Sequence, residues 1–204
     1  MANPICVGSL KMPNIVPTKY FCKVLEHLTP LPVELANFKF ASSKYIWPSS
    51  PIIIGDQPVI FTPTIETRPI MQSDLTEWIR SNITALPQSI LFRRVEVDGT
   101  KNFYPPHVDT SREFTLIYNT EHSGGNIVYW RYKDLPAFTD QLTRVVFHNY
   151  RDLTEVYRMP TPVGKWYLLN NTCIHSVEGM TGIRAGVQVS FGKDDPLVDY
   201  LERL

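Results

Sequence analysis

The sequence predicts a mainly β protein, a sandwich or jelly roll with flanking helices, and three observations carry that expectation. Seventeen prolines and ten glycines in 204 residues cut the chain into short pieces. From residue 89 onward, β-branched and aromatic residues alternate with polar ones at a period of two. Turn-forming clusters then separate these runs at short intervals, the spacing of strands rather than long helices.

Taken in order, the elements start with a helix. Thr18 caps a stretch in which Phe21, Leu25 and Leu28 recur at helical spacing until Pro30 stops it. Segment 41–70, rich in Pro and Ser with apolar bursts at Ile52–Ile54 and Val59–Phe61, adds outer strands. A second helix follows Ser73 or Asp74 as cap, with Leu75, Trp78, Ile79 and Ile83 on one face, and is closed by Pro87. Ser89–Val97 and Phe103–Asp109 flank Asp98-Gly99, a tight-hairpin signal, and Glu113–Asn119 and Asn126–Tyr132 flank Ser123-Gly124-Gly125, another. Arg144–His148, Glu155–Met159, Lys165–Leu169, Cys173–Val177 and Arg184–Phe191 complete the strands. A last helix over Pro196–Leu204 docks Leu197, Leu201 and Leu204. The expected organisation is one domain over 1–204: helices and outer strands in 1–88, a β core in 89–192, a helix in 193–204.

Composition narrows the function classes. With 43% hydrophobic and 12% aromatic residues the chain buries a sizeable core, which excludes wholesale disorder. Twenty Lys and Arg balance twenty Asp and Glu, so no bulk field holds a nucleic acid. Apolar runs such as Pro51-Ile52-Ile53-Ile54 fall far short of a membrane span, and no leader peptide is read before Lys11 and the prolines that follow it. Cys6, Cys22 and Cys173 cannot all pair and form no Cys-x-x-Cys, so a soluble protein of the reducing cytoplasm is expected.

The first chemical feature is His107-Val108-Asp109. On a strand, residues i and i+2 point to one side, so the imidazole and the carboxylate can converge on one metal. A second follows downstream, where a hairpin over Glu178–Gly182 sets His175 opposite Arg184, a ligand facing a cation. Two His and one carboxylate occupy one face of a metal and leave the other open for a bidentate co-substrate and O₂, as in non-haem Fe(II) oxygenases. His148, with Arg158 ten residues on, imitates the His175–Arg184 pairing and is the rival distal ligand. His27 and His122 read as solvated. Arg93, Arg94 and Arg112 either contact substrate or solvate strand ends, Cys173 reads as a small buried hydrophobe rather than a fourth ligand, and one of Trp166 and Tyr167 faces the core.

The run Tyr104-Pro105-Pro106-His107-Val108-Asp109, then Phe114-Thr115-Leu116-Ile117-Tyr118-Asn119 and Gly124-Gly125-Asn126-Ile127-Val128-Tyr129-Trp130, resembles the Fe(II)/2-oxoglutarate-dependent dioxygenases, most of all their prolyl-4-hydroxylase-like branch. Pro162-Val163-Gly164-Lys165-Trp166-Tyr167-Leu168-Leu169, leading to His175-Ser176-Val177-Glu178 and Gly182-Ile183-Arg184, is similar to that family's closing pattern. The resemblance covers residues 90–192. It implies a double-stranded β-helix of cupin-like jelly-roll type in which His107, Asp109 and His175 bind Fe(II). Arg184 then pairs with the distal carboxylate of the co-substrate 2-oxoglutarate, and Tyr118 hydrogen-bonds the same carboxylate. The distal ligand of that pattern lies on the penultimate strand, which favours His175 over His148. Two positions depart from it: Asn126 stands where glutamate is common, and Ala185-Gly186 offers no Ser two residues after the Arg.

The implied activity is hydroxylation of a C–H bond in a peptidyl residue, an amino acid or a small metabolite, with O₂ consumed, succinate and CO₂ formed, and ascorbate as a supporting reductant. Asp109 argues against halogenation, because halogenating relatives omit that carboxylate. Residues 1–88 and the 133–160 insertion shape the pocket. Two other classes stay open: a metal-free jelly-roll binding module, and a cupin-like metalloenzyme that does not use 2-oxoglutarate.

Overall fold

The computed structural model describes residues 21–36, 45–47, 51–52, 60–61, 64–71, 73–84, 86–97, 104–109, 112, 114–122, 124–133 and 145–191. Its elements in chain order are β1 (Cys22–Val24), β2 (Tyr45–Trp47), β3 (Pro51–Ile52), β4 (Ile60–Phe61), β5 (Thr64–Pro69), α1 (Ser73–Asn82), β6 (Pro87–Val97) and β7 (Tyr104–Asp109). There follow β8 (Phe114–His122), β9 (Asn126–Tyr132), β10 (Val145–Phe147), β11 (Leu153–Pro160), β12 (Trp166–Asn170), β13 (His175–Glu178) and β14 (Gly182–Phe191). A seven-stranded antiparallel sheet runs β1-β12-β8-β14-β6-β5-β2, and a five-stranded sheet runs β10-β7-β13-β9-β11. The expected mainly β class is what the chain adopts.

The pairing has one organising rule. β6, β7, β8 and β9 pair in turn with β14, β13, β12 and β11. The core is therefore one long antiparallel ribbon, folded back between β9 and β11 and wound so that successive strands alternate between the sheets. That is a double-stranded β-helix. The winding corrects three expected hairpins: β6 and β7, β8 and β9, and β13 and β14 each lie in different sheets. None of the three pairs forms a ladder. At the last corner Gly179 and Gly182 hold φ of 70° and 98°, a region closed to most side chains, and carry the chain from one sheet to the other. His175 consequently pairs with His107 and Tyr129, while Arg184 pairs with Val95 and His122. The two are not cross-strand partners.

Strand parity divides the side chains of the larger sheet. Leu116, Tyr118, Trp166, Leu168, Val187 and Val189 face outward and form one core with Leu75 and Ile79 of α1. The Asp74 carboxylate accepts from the Leu75 amide at 3.0 Å, and the helix presents its apolar stripe as its periodicity requires. It ends at Asn82, ahead of Pro87, which opens β6. Two further cores fill the space between the sheets: Cys22, Ile127, Tyr129, Met159, Tyr167 and Leu169 in one, and Ile65, Val95, Val97, Val177 and Met180 in the other.

Where the N-terminal helix is expected, the described residues form a short strand, Cys22–Val24, followed by a turn. Phe21 packs in the inter-sheet core against Tyr129, at a centroid distance of 5.0 Å, whereas Leu25 lies in the outer core. Their spacing of four serves two different cores rather than one helix face. Cys22–Val24 covers the open edge of β12, whose backbone groups would otherwise lack partners, and this tertiary pairing overrides local propensity. In segment 41–70, β2 and β5 extend the larger sheet as expected, whereas β3 and β4 form a separate two-stranded sheet. Thr18, Cys6, the Asp98-Gly99 turn, Ser123 and the Pro196–Leu204 helix lie outside the described residues.

Candidate metal centre

His107 and Asp109 lie on β7, one strand away from His175 on β13, and alternate positions of β7 put both side chains on the inward face. One ligand atom from each of the three residues lies within 4.8 Å of the other two, and all three residues are buried. His107 Nε2 stands 3.8 Å from Asp109 Oδ1, and the two imidazole centroids are 4.3 Å apart.

The backbone fixes which nitrogen each ring offers. His107 Nδ1 lies 2.8 Å from the Pro105 carbonyl oxygen and His175 Nδ1 lies 2.9 Å from that of Cys173. A carbonyl only accepts, so each Nδ1 carries the proton and donates, which makes each Nε2 the nitrogen with the lone pair a metal could take. Pro105 and Pro106 contribute locally: neither has an N–H for the ladder, and the β7–β13 register shifts across them. Asp109 is held in the complementary way. The Arg112 guanidinium donates from Nε at 2.9 Å and lies 2.8 Å away through Nη2, both to Oδ2, which leaves Oδ1 toward His107.

The electrostatics suit metal ligation. Burial above all, then the neighbouring His175, holds the His107 imidazole well below its ordinary value, and burial likewise lowers His175. Burial alone would raise Asp109, but the Arg112 guanidinium, His107 and His175 outweigh it and keep the carboxyl below its usual range. The triad is therefore in its deprotonated, ligating form near neutrality, and the donor set fits a divalent ion such as Fe(II).

Next to the triad, on the inner face of the larger sheet, lies a cavity lined by Arg93, Val95, Ile117, Asn119, Arg184 and Gln188. Arg112 bridges the two: with its amide oxygen turned inward, Gln188 accepts from Nη1 at 2.8 Å and from Nη2 at 3.2 Å. Arg93 Nε and Arg184 Nη1 are buried without a hydrogen-bond partner among the described residues. Burial and then the nearby Arg112 depress Arg93. Three guanidiniums thus meet one carboxylate, and the excess positive charge calls for an anion.

Of the residues read from the sequence, His107, Asp109 and His175 come together, and Arg184 lines the adjoining cavity. Tyr118 does not. It sits on the outer face with its ring 5.0 Å from Trp166, because it shares strand parity with Leu116. Trp166 and Tyr167 are both core, one on each side of the sheet. His148 is buried with Nδ1 2.6 Å from the Tyr132 hydroxyl and is outside the triad, and Arg158 pairs with Glu155 and Glu178. Arg94 pairs with Glu96, and Cys173 is a partly buried thiol that packs against the inter-sheet core. The sequence reading left Arg93 open between substrate contact and strand end and passed over Asn119 and Gln188, all three of which line the cavity. The available signal was a charged or polar residue in the apolar phase of a strand: Arg93 alternates in step with Val95 and Val97.

No protein-family model and no curated protein matches the sequence. Among solved structures the chain is similar to E. coli ycfD, with 10% identity and a TM-score of 0.48 over 89% of this chain and 54% of that one. It is also similar to an oxidoreductase of the 2OG-Fe(II) oxygenase family from Burkholderia pseudomallei, with 13% identity, a TM-score of 0.39, and 70% and 72% of the two chains covered. A third likeness is to Cellulomonas parahominis L-ribose isomerase in complex with L-psicose, with 11% identity, a TM-score of 0.35, and 64% and 61% covered. The chain spans about half the length of the first of these. Among the described residues, no helix is long and apolar enough to cross a membrane.

Proposed function

We propose that this protein is an Fe(II)- and 2-oxoglutarate-dependent oxygenase of the prolyl-4-hydroxylase-like kind that hydroxylates a C–H bond of a peptidyl residue, an amino acid or a small metabolite. The observation that carries the reading is the juxtaposition of a buried His-Asp-His triad with a cavity where two guanidiniums have unpaired donors. A metal alone would account for the triad, but the unpaired guanidiniums ask for a carboxylate as well, and 2-oxoglutarate supplies both demands in one molecule. This favours it over a cupin-like metalloenzyme without that co-substrate and over a metal-free binding module.

In this reading His107, Asp109 and His175 hold the ion from one side. Iron so held supplies the O₂ activation by which 2-oxoglutarate, O₂ and R–H become succinate, CO₂ and R–OH. The remaining roles belong to the chain. Arg184 orients the co-substrate by its distal carboxylate, Arg112 holds Asp109 through one oxygen, and the sheets keep bulk water from the site. Ascorbate serves only to keep the iron reduced.

Anaerobic addition of Fe(II) and 2-oxoglutarate should produce a visible charge-transfer band, and in air the protein should form succinate slowly without a prime substrate. Asp109→Ala and His175→Ala should each abolish both signals. Retention of metal binding and turnover in either variant would overturn the proposal.

A further inference from the structure

Gly186 stands two residues after Arg184, and the backbone forbids any side chain there: a Cβ would lie 2.1 Å from the Tyr118 carbonyl oxygen. The polar group that a serine would bring to this position is therefore excluded by the close approach of β8 to β14. Directly across the β6 ladder from Gly186 is Arg93. Its parity turns it inward, its Nε is buried and unpaired, and it lines the same cavity as Arg184. It forms no ion pair among the described residues. A guanidinium whose Nε is buried with neither a carboxylate nor a hydrogen-bond partner is costly, and the cost is recovered only if a ligand brings one.

Building on the oxygenase reading, we infer that Arg93 is a second anchor for the distal carboxylate of the co-substrate, acting with Arg184 as a pair and standing in for the missing hydroxyl. Arg184 reaches the cavity from β14 and Arg93 from β6, so a carboxylate between them has a guanidinium on two sides. Such a pair selects a keto acid that carries a distal carboxylate over one that ends in a methyl group.

The test is calorimetric binding to Mn(II)-loaded protein, with no turnover involved, comparing 2-oxoglutarate with 2-oxovalerate, which has the same chain length but no distal carboxylate. Arg93→Gln should weaken 2-oxoglutarate about 10- to 100-fold, the value of a charge-assisted contact, and leave 2-oxovalerate within about twofold. Arg93→Met should also raise the melting temperature of the metal-free protein, since it removes an unpaired buried charge, and abolish most of the upward shift that 2-oxoglutarate confers. Equal loss of both keto acids, or no loss of either, would overturn this inference while wild-type binding of 2-oxoglutarate keeps the oxygenase reading intact. If Mn(II)-loaded wild type does not bind 2-oxoglutarate at all, the oxygenase reading itself fails.

Discussion

Asp109 shows how one side chain is prepared for its task. Its Oδ2 is occupied by Arg112, so Oδ1 alone is presented beside His107 Nε2. A carboxylate free to rotate would present either oxygen or both, whereas this one would offer a metal a single oxygen. On the proposed reading Arg112 would act on a bound metal through Asp109, as a positioning residue. Arg112→Met should weaken Mn(II) affinity about 10- to 100-fold, the usual effect of removing a group that orients a ligand, with Arg112→Lys intermediate because it keeps the charge but not the fork. Isothermal titration of the metal checks this, and unchanged affinity in Arg112→Met would remove Arg112 from the site.

At the scale of the elements, what was legible followed from periodicity and what was not followed from sheet assignment. Alternation in Ser89–Val97 marks β6 correctly, and the stripe Leu75, Trp78, Ile79, Ile83 marks α1, because local patterning records which face is buried. The same alternation is silent about which sheet a strand joins, so Gly-rich corners pass for hairpins, and His175 and Arg184 appear as partners when they belong to opposite sheets. His107-Val108-Asp109 needs only its own strand, and His175, read from the hairpin and from the resemblance, lies beside it on the neighbouring strand although the hairpin itself is absent. Tyr118 was misplaced for the opposite reason: resemblance overrode a parity that Leu116 already declared. The β8–β14 contact carries a prediction of its own. Pairing shifts register at Ala185 and Gly186, where the strands approach too closely for a Cβ. Gly186→Ala must push backbone apart in the middle of the larger sheet, and should cost about 3 kcal/mol or more. Chemical denaturation checks it, and a loss below about 1 kcal/mol would mean that the bulge yields easily.

For the whole molecule, the buried imidazoles couple stability to pH. Burial lowers the folded-state values of His107, His175 and His148, whereas in the unfolded chain each titrates near the ordinary value of about 6.5. Below that pH the unfolded state binds protons that the folded state refuses, so unfolding gains and stability falls as pH drops through the window beneath 6.5; above it the full stability is present. Each such histidine contributes a slope of at most about 1.4 kcal/mol per pH unit. Asp109, held down mainly by Arg112 against its own burial, adds loss in the same direction only at more acid pH, below the usual aspartate range. Urea unfolding of metal-free protein between pH 8 and pH 5.5 should therefore show a midpoint that is flat at the alkaline end and falls on the acid side. His148→Gln isolates one contribution without touching the triad, and should flatten the acid limb by up to one proton's slope. A bound metal should steepen the limb, since it stabilises only the folded state with neutral ligands and is released as they protonate. Identical limbs for wild type and His148→Gln would show that His148 titrates alike in both states, and a limb unaffected by metal would show that the ion does not sit on His107 and His175.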